Sequence, residues 1–101
     1  MIMLVGLHGV RDWSAFEAMA KQARESGEFA DNDQRMGIVE TKSYRRVDGS
    51  GIVVTHVFKN LESAQAYKMQ MESAETQERM GAAGAILPIE FSLIEEINLL
   101  G

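Results

Sequence analysis

A hairpin in the middle of the chain constrains the fold more than any other feature of the sequence. Residues 38–47 and 52–58 both have the composition of β-strands, and the turn sequence Asp48-Gly49-Ser50-Gly51 lies between them. Glycine and aspartate at these positions favour the tight turns that join neighbouring antiparallel strands. The second and third strands are therefore predicted to pair directly, and the remaining elements have to be arranged around that pair.

A helix is predicted between the first strand, residues 1–8, and the hairpin. Its buried stripe is indicated by apolar side chains that recur at helical spacing, Trp13, Phe16, Ala20 and Ala23. Asp12 or Ser14 can cap its start, and Ser26-Gly27 ends it. Residues 28–37 are polar and rich in aspartate and asparagine, so a loop is predicted there.

A second helix is predicted after the hairpin, with Asn60 as its cap. The side chains that share its apolar face are Leu61, Ala64, Tyr67 and Met71. Residues 73–83 indicate a short further helical piece, and residues 86–97 form the last predicted strand, with Pro88 near its start. Proline lacks the backbone donor that a central strand needs, so this strand is placed at an edge.

The order strand, helix, strand, strand, helix, strand predicts an α+β fold, the ferredoxin-like βαββαβ sandwich. Its four-stranded antiparallel sheet has the order 4-1-3-2. The sequence agrees with that order, because the first and third strands are apolar, whereas charges mark the second strand and proline the fourth. One domain spanning residues 1–101 is expected from the length.

Apolar residues on both faces of the central strands predict a homodimer. Helices cover only one face of such a sheet, and the other face would alternate with polar residues if water covered it. The first strand does not alternate, and Val53 and Val57 lie on the opposite parity from Ile52, Val54 and Phe58. Two copies packed sheet to sheet would cover both faces.

Composition excludes several classes of function. The net charge of −5 opposes binding to nucleic acid or to an anionic membrane, and no apolar stretch approaches the length of a membrane span. The chain has no cysteine, which excludes disulfides and thiolate catalysis and agrees with a cytoplasmic location. The short apolar start lacks the basic leader of a signal peptide.

Two stretches of sequence resemble the dimeric α/β-barrel superfamily, which includes the antibiotic-biosynthesis monooxygenase-like proteins. They are IVVTHVFKNLESA at residues 52–64 and MGAAG at residues 80–84, which leads into the last strand. The resemblance implies a barrel made by two paired sheets, with a ligand cavity between sheet and helices in each monomer. Its members include cofactor-independent monooxygenases, polyketide cyclases, lactone isomerases and haem-handling enzymes, so the resemblance alone does not select a reaction.

His56 is the candidate catalytic residue. A turn centred on Gly49-Ser50 would place Ser43 opposite His56, on the face that the helices cover. An imidazole among apolar neighbours could act as a base towards an acidic carbon or phenol, or hold a carbonyl oxygen. The alternative is a buried histidine satisfied by Ser43 or by the backbone.

The expected ligand is an apolar, elongated small molecule, because seven methionines are many for 101 residues and methionine adapts to varied guests. The candidate ligand-binding residues are His8, Trp13, Phe16, Ser43, Tyr67, Met71 and Met80. Ordinary core packing is the alternative for the aromatic residues and methionines, and an exposed turn for His8. No metal site and no cofactor are expected, since two histidines without a neighbouring carboxylate do not make a metal site. A non-catalytic binder and a structural or regulatory dimer remain open as functions.

Overall fold

The computed structural model describes residues 2–99, so Met1, Leu100 and Gly101, which belong to the predicted first strand and domain, lie outside the described residues. The elements follow in the order β1 (Ile2–Val10), α1 (Trp13–Glu25), α2 (Glu28–Met36), β2 (Ile38–Arg45), β3 (Gly51–Phe58), α3 (Leu61–Met71), α4 (Ala74–Ala82) and β4 (Ala85–Glu95). No helix within residues 2–99 is long and apolar enough to cross a membrane.

The four strands form one antiparallel sheet in the order β2-β3-β1-β4. This is the predicted order 4-1-3-2 read from the other side, so the α+β ferredoxin-like fold is confirmed. In the centre of the sheet, Leu4 of β1 lies between His56 of β3 and Leu93 of β4. The charged strand and the proline-containing strand are at the edges, as the sequence predicted.

The loop predicted over residues 28–37 is wrong, because most of this segment forms α2. None of the nine residues of α2 is buried, so no apolar stripe marks the helix in the sequence. Charges at both ends favour the helix: Glu28 and Asp31 lie in the first turn and Arg35 in the last, where each charge interacts favourably with the helix dipole. Met36 also packs against the core. Gly37, at a φ of 74°, ends the helix in the left-handed conformation.

The predicted register of the hairpin is wrong by two residues. Ser43 lies opposite Val54, and His56 lies opposite Thr41. The connection spans residues 46–50 and is stabilised by the carboxylate of Asp48, which accepts hydrogen bonds from the backbone and hydroxyl of Ser50. Since side chains alternate with a period of two, a shift of two residues leaves every side chain on its predicted face.

The helix starts are capped by the expected side chains. Of the two candidates for α1, Asp12 is the cap, and its carboxylate accepts a hydrogen bond from the backbone of Ala15 at 3.1 Å. Asn60 caps α3 in the same way, accepting from the backbone of Ser63 at 2.8 Å. Each bond satisfies a backbone donor that the helix itself cannot pair.

The core between sheet and helices is divided into two clusters of buried residues. The Tyr67 cluster consists of Leu4, Ile38, Phe58, Ala64 and Tyr67. The Phe16 cluster consists of Val10, Phe16, Ile52 and Ala85. They lie at opposite ends of β3, because Phe58 is its last residue and Ile52 is next to its first. The middle of β3 is therefore packed less tightly against the helices than its ends.

The other face of the sheet, called the open face below, carries no helix. Its central strands contribute Met3, Val5, Leu7, Val53, Thr55 and Val57, all only partly buried or exposed. Tyr44 of β2 and Ile94 of β4 extend this surface and are 51% and 45% exposed. A row of apolar side chains in partial contact with water is typical of a surface that another protein covers.

Candidate functional site

The helix layer leaves most of β2 uncovered. Ile38 at its start is buried, but Thr41, Ser43 and Arg45, which point to the same side as the helices, are exposed. Thr41 and Ser43, together with Val54 and His56 of the neighbouring strand, form a strip of the sheet surface that we call the β2 groove. This strip lies between the two core clusters, and its outer side, on β2, is exposed to solvent.

His56 occupies the inner side of the β2 groove, where it is half-buried. Its Nδ1 lies 2.9 Å from the hydroxyl oxygen of Thr41. Its ring packs edge to face with the ring of Tyr67, with centroids 5.1 Å apart, and with that of Phe58 at 6.4 Å. Burial lowers the pKa of His56 to about 4, so the imidazole is neutral at pH 7.

Acid is expected to weaken the fold through His56. Its pKa of about 4 lies below the ordinary value of 6.5, so between these values the unfolded chain binds a proton that the folded chain does not. The free energy of unfolding therefore keeps the His56 contribution above pH 6.5 and loses it as the pH falls towards 4, by at most about 3 kcal/mol. Urea unfolding at pH 7 and pH 4.5 measures this loss. The variant His56→Gln should show a smaller loss, and an equal loss in both proteins would contradict the assignment.

Tyr67 of α3 packs beside His56 and is buried. Burial, and next to it the negative charge of Asp33, raise the pKa of Tyr67 to about 12, so the phenol keeps its proton. Burial also raises the pKa of Asp33 itself. Asp33 lies on α2, which the sequence did not predict as a helix, so its place near Tyr67 was missed. The one sign of this helix in the sequence was the placement of acidic residues near its start and a basic residue near its end.

One end of the groove is closed by contacts between the hairpin and α1. The guanidinium of Arg45 lies 4.2 Å from the centre of the Trp13 ring and pairs with the carboxylate of Glu17. The indole nitrogen of Trp13 donates a hydrogen bond to the carbonyl of Gly49 at 2.8 Å. These contacts attach the tip of the hairpin to the start of α1.

The structure does not bring the predicted ligand-binding residues into one place. His8, Trp13, Phe16 and Met80 belong to the Phe16 cluster or contact it, with the ring of Phe16 5.3 Å from His8 and 6.2 Å from Trp13. Tyr67 and Met71 belong to the Tyr67 cluster. Ser43 lies between the two groups, on the floor of the groove. Of the predicted residues, His56, Ser43 and Tyr67 are the ones that lie at or beside the groove.

Two surface clefts lie away from His56. One, of about 250 Å³, lies at the end of β1 where the open face begins, and its walls include Leu7, His8, Arg46, Pro88 and Glu90. The other, of about 310 Å³, lies along α3 beside Lys68 and Met69. The first cleft contains His8 and Pro88, and the side chain of Arg11 donates a hydrogen bond to the carbonyl of Gly81.

The groove offers hydrogen bonding without net charge at its inner end. A neutral imidazole and a threonine hydroxyl can orient an oxygen-containing ring system through hydrogen bonds, and Val54 offers an apolar contact for its carbon skeleton. Within residues 2–99, no three histidine, aspartate or glutamate side chains are grouped so that they could hold a metal ion.

Comparison of the fold with solved structures gives close matches over almost the whole chain. A monooxygenase from the gene ActVA-Orf6 of Streptomyces coelicolor, solved with the ligand nanaomycin D, matches with a TM-score of 0.70 at 14% identity, over 98% of this chain and 89% of that one. SnoaB, a cofactor-independent oxygenase from Streptomyces nogalater, matches with a TM-score of 0.61 at 19% identity, over 98% and 95%. A dimeric ferredoxin-like protein from an uncultured marine organism matches with a TM-score of 0.66 at 10% identity, over 97% and 96%.

These identities are low, so the matches establish the fold alone. No protein-family model and no curated protein matches the sequence. The resemblance to the antibiotic-biosynthesis monooxygenase-like, ferredoxin-like proteins is thereby confirmed at the level of structure, and the activity has to be argued from the groove.

Proposed function

We propose that this chain, which has the fold of the antibiotic-biosynthesis monooxygenase-like proteins, binds an apolar, elongated small molecule in the β2 groove. We infer further that it acts on that molecule as a cofactor-independent monooxygenase-like or cyclase-like enzyme. The observation that carries this proposal is His56, a neutral, half-buried imidazole that lies beside the exposed strand β2 and contacts the hydroxyl of Thr41. A titratable group with a perturbed pKa at such a place is a candidate for function.

The chemistry within reach of His56 is that of carbonyl and phenolic compounds. A neutral imidazole can accept a proton from an acidic carbon or a phenol, or donate a hydrogen bond to a carbonyl oxygen. Neither role requires a metal or an organic cofactor. Fold likeness to an oxygenase described as cofactor-independent supports this class of reaction without selecting one member of it.

A non-catalytic binder or a structural dimer is the second candidate. It is favoured by two observations: the two clefts described above lie away from His56, and four of the predicted ligand-binding residues pack in or against the core clusters, namely Phe16, Tyr67, Met71 and Met80. Two of these, Phe16 and Tyr67, are 7% and 6% exposed, so they have little surface left for a guest. A protein of this kind would bind ligands without turnover or would not bind them.

Nanaomycin D is the first probe for the groove, because it is the ligand of the structural neighbour from Streptomyces coelicolor. Trp13 is the single tryptophan of the chain and lies at the end of the groove, so its fluorescence should report binding. We expect nanaomycin D to quench Trp13, and His56→Ala to weaken binding about tenfold through the lost hydrogen bond. Turnover of any substrate identified should be abolished in the same variant.

The matched control for that experiment is Thr55→Val, at the neighbouring position of β3. Its side chain lies on the open face, away from the groove, so the affinity for nanaomycin D should stay at the wild-type value. Unchanged binding and turnover in a folded His56→Ala protein would contradict the assignment of the groove. Binding without turnover of any carbonyl or phenolic compound tested would favour the non-catalytic function.

We also propose that the open face is covered by a second copy of the chain. Its apolar side chains are partly exposed to water, and a second copy would bury them. One structural neighbour is described as dimeric. Lys42 lies on this face at the β2 edge and pairs with Glu40 of the same edge, whereas Glu90 lies at the β4 edge. A two-fold axis parallel to the strands would bring the β2 edge of one copy to the β4 edge of the other.

A further inference from the structure

The hydrogen bond between Thr41 and His56 ties the candidate catalytic side chain to the edge strand. The two residues are directly opposed in the sheet, and the hydroxyl oxygen lies 2.9 Å from Nδ1. Directly opposed residues have their β-carbons about 5 Å apart, so the backbone register itself holds the pair together. Thr41 is exposed, whereas His56 is half-buried, so the bond connects an inner group to a group in contact with water.

The position of the imidazole proton decides what His56 can do. A neutral imidazole carries one proton, so one ring nitrogen donates hydrogen bonds and the other accepts them. A threonine hydroxyl carries one proton and two lone pairs. Because Thr41 is exposed, water can donate hydrogen bonds to the lone pairs of its hydroxyl oxygen. The proton of this hydroxyl can then be donated to Nδ1 of His56.

The aromatic surroundings of His56 hold its ring in place. The rings of Tyr67 and Phe58 meet the imidazole at interplanar angles of 66° and 60°, which are edge-to-face geometries. Such pairs are held by the attraction between a positive ring edge and a negative ring face.

We propose that Thr41 is a positioning residue that donates its hydroxyl proton to Nδ1 of His56 and so holds the imidazole proton on Nε2. In this state His56 presents a hydrogen-bond donor to the groove, and the ligand it recognises carries an acceptor oxygen, a carbonyl or a phenolate. The choice of ligand rests on the function proposed above, but the position of the proton is a property of the free protein. Of the two roles open to His56, the donor role is thus selected over the role of base.

His8 provides an internal reference, because its Nδ1 is expected to carry a proton, whereas Nδ1 of His56 is not. Nδ1 of His8 lies 2.7 Å from the carbonyl oxygen of Gly9. A carbonyl oxygen only accepts hydrogen bonds, so Nδ1 of His8 has to carry a proton. The two histidines of one protein are therefore expected to show different protonation patterns in the same spectrum.

Long-range ¹H–¹⁵N correlation spectra of the ligand-free protein at pH 7.5, with ¹⁵N-labelled histidine, test the proposal. The signals of His56 are identified by their loss in His56→Ala. We expect protonated Nε2 and unprotonated Nδ1 for His56, and a protonated Nδ1 for His8. Thr41→Val, which removes the hydroxyl but keeps the shape, should move the Nδ1 and Nε2 shifts of His56 towards a mixture of the two tautomers. Thr41→Ser should restore the wild-type shifts.

Thr55→Val is the control, because it makes the same change beside His56 on the open face. It should leave the His56 signals in place. A protonated Nδ1 on His56 in the wild type, or His56 shifts that Thr41→Val does not alter, would overturn the proposal. Since these spectra contain no ligand, their outcome is independent of the nanaomycin D titration, and either result can fail without the other.

Discussion

Val5→Asp should dissociate the proposed sheet-to-sheet dimer into folded monomers. Val5 is in the middle of the open face, on a central strand, with Thr55 and Ser92 as its neighbours. In a two-fold pair each copy would bury one unpaired carboxylate, and an unpaired buried charge costs several kcal/mol. We therefore expect the dimer dissociation constant to rise at least about 10³-fold. Sedimentation velocity over a range of concentrations measures this constant.

The control for this prediction is Val47→Asp, the same substitution at a valine in the hairpin connection that is fully exposed. It adds the same charge and should leave the dimer unchanged. Val53→Asp, on the neighbouring strand of the open face, should repeat the effect of Val5→Asp. Circular dichroism separates dissociation from unfolding. A wild-type protein that sediments as a monomer, or both open-face variants sedimenting as dimers, would contradict the sheet-to-sheet pair.

Gly51→Ala is expected to destabilise the fold by about 3 kcal/mol, a loss at the upper end for overpacking. Gly51 begins β3 opposite Gly9, and a β-carbon at this position would overlap the carbonyl oxygen of His8. That oxygen belongs to the backbone of β1, so only a displacement of one strand from the other can relieve the contact. The melting temperature should fall by more than about 12 °C, as calorimetry would measure.

Gly81→Ala is the matched control for Gly51→Ala. The added methyl group would meet the tip of the Leu87 side chain at 3.0 Å, and a flexible side chain can move aside. Gly81 lies inside α4, where alanine is favoured over glycine by about 1 kcal/mol. The stability of this variant should equal or exceed that of the wild type. A Gly51→Ala protein that melts at the wild-type temperature would show that the close approach of β1 and β3 is not essential.

The order of strands and the faces of their side chains could be predicted because they follow from local patterns. Apolar runs marked the central strands, and charges and Pro88 marked the edges. The face of His56 was predicted from strand alternation, although the register was wrong by two residues. That error came from the turn, whose five connecting residues are held by Asp48 and by Trp13 of a distant helix, contacts that no local pattern contains.

The composition of the site was harder to predict, for two physical reasons. Residues 28–37 have no buried apolar stripe, so only the charges at its ends indicated the helix that carries Asp33. Periodicity also tells which face of an element a side chain occupies, but not how far along the sheet it lies. Phe16 and Tyr67 were both correctly placed between helices and sheet, yet they belong to clusters at opposite ends of β3. Thr41 was missed as the partner of His56 because of the register.

The division of the core means that the two ends of β3 are stabilised by separate sets of side chains. The Phe16 and Tyr67 clusters share no buried residue, and Val54, Ser43, Thr41 and His56 lie between them on the same face of the sheet. Substitutions of residues that share no partner usually have additive effects on the free energy of unfolding. A substitution in one cluster should therefore leave the packing of the other intact.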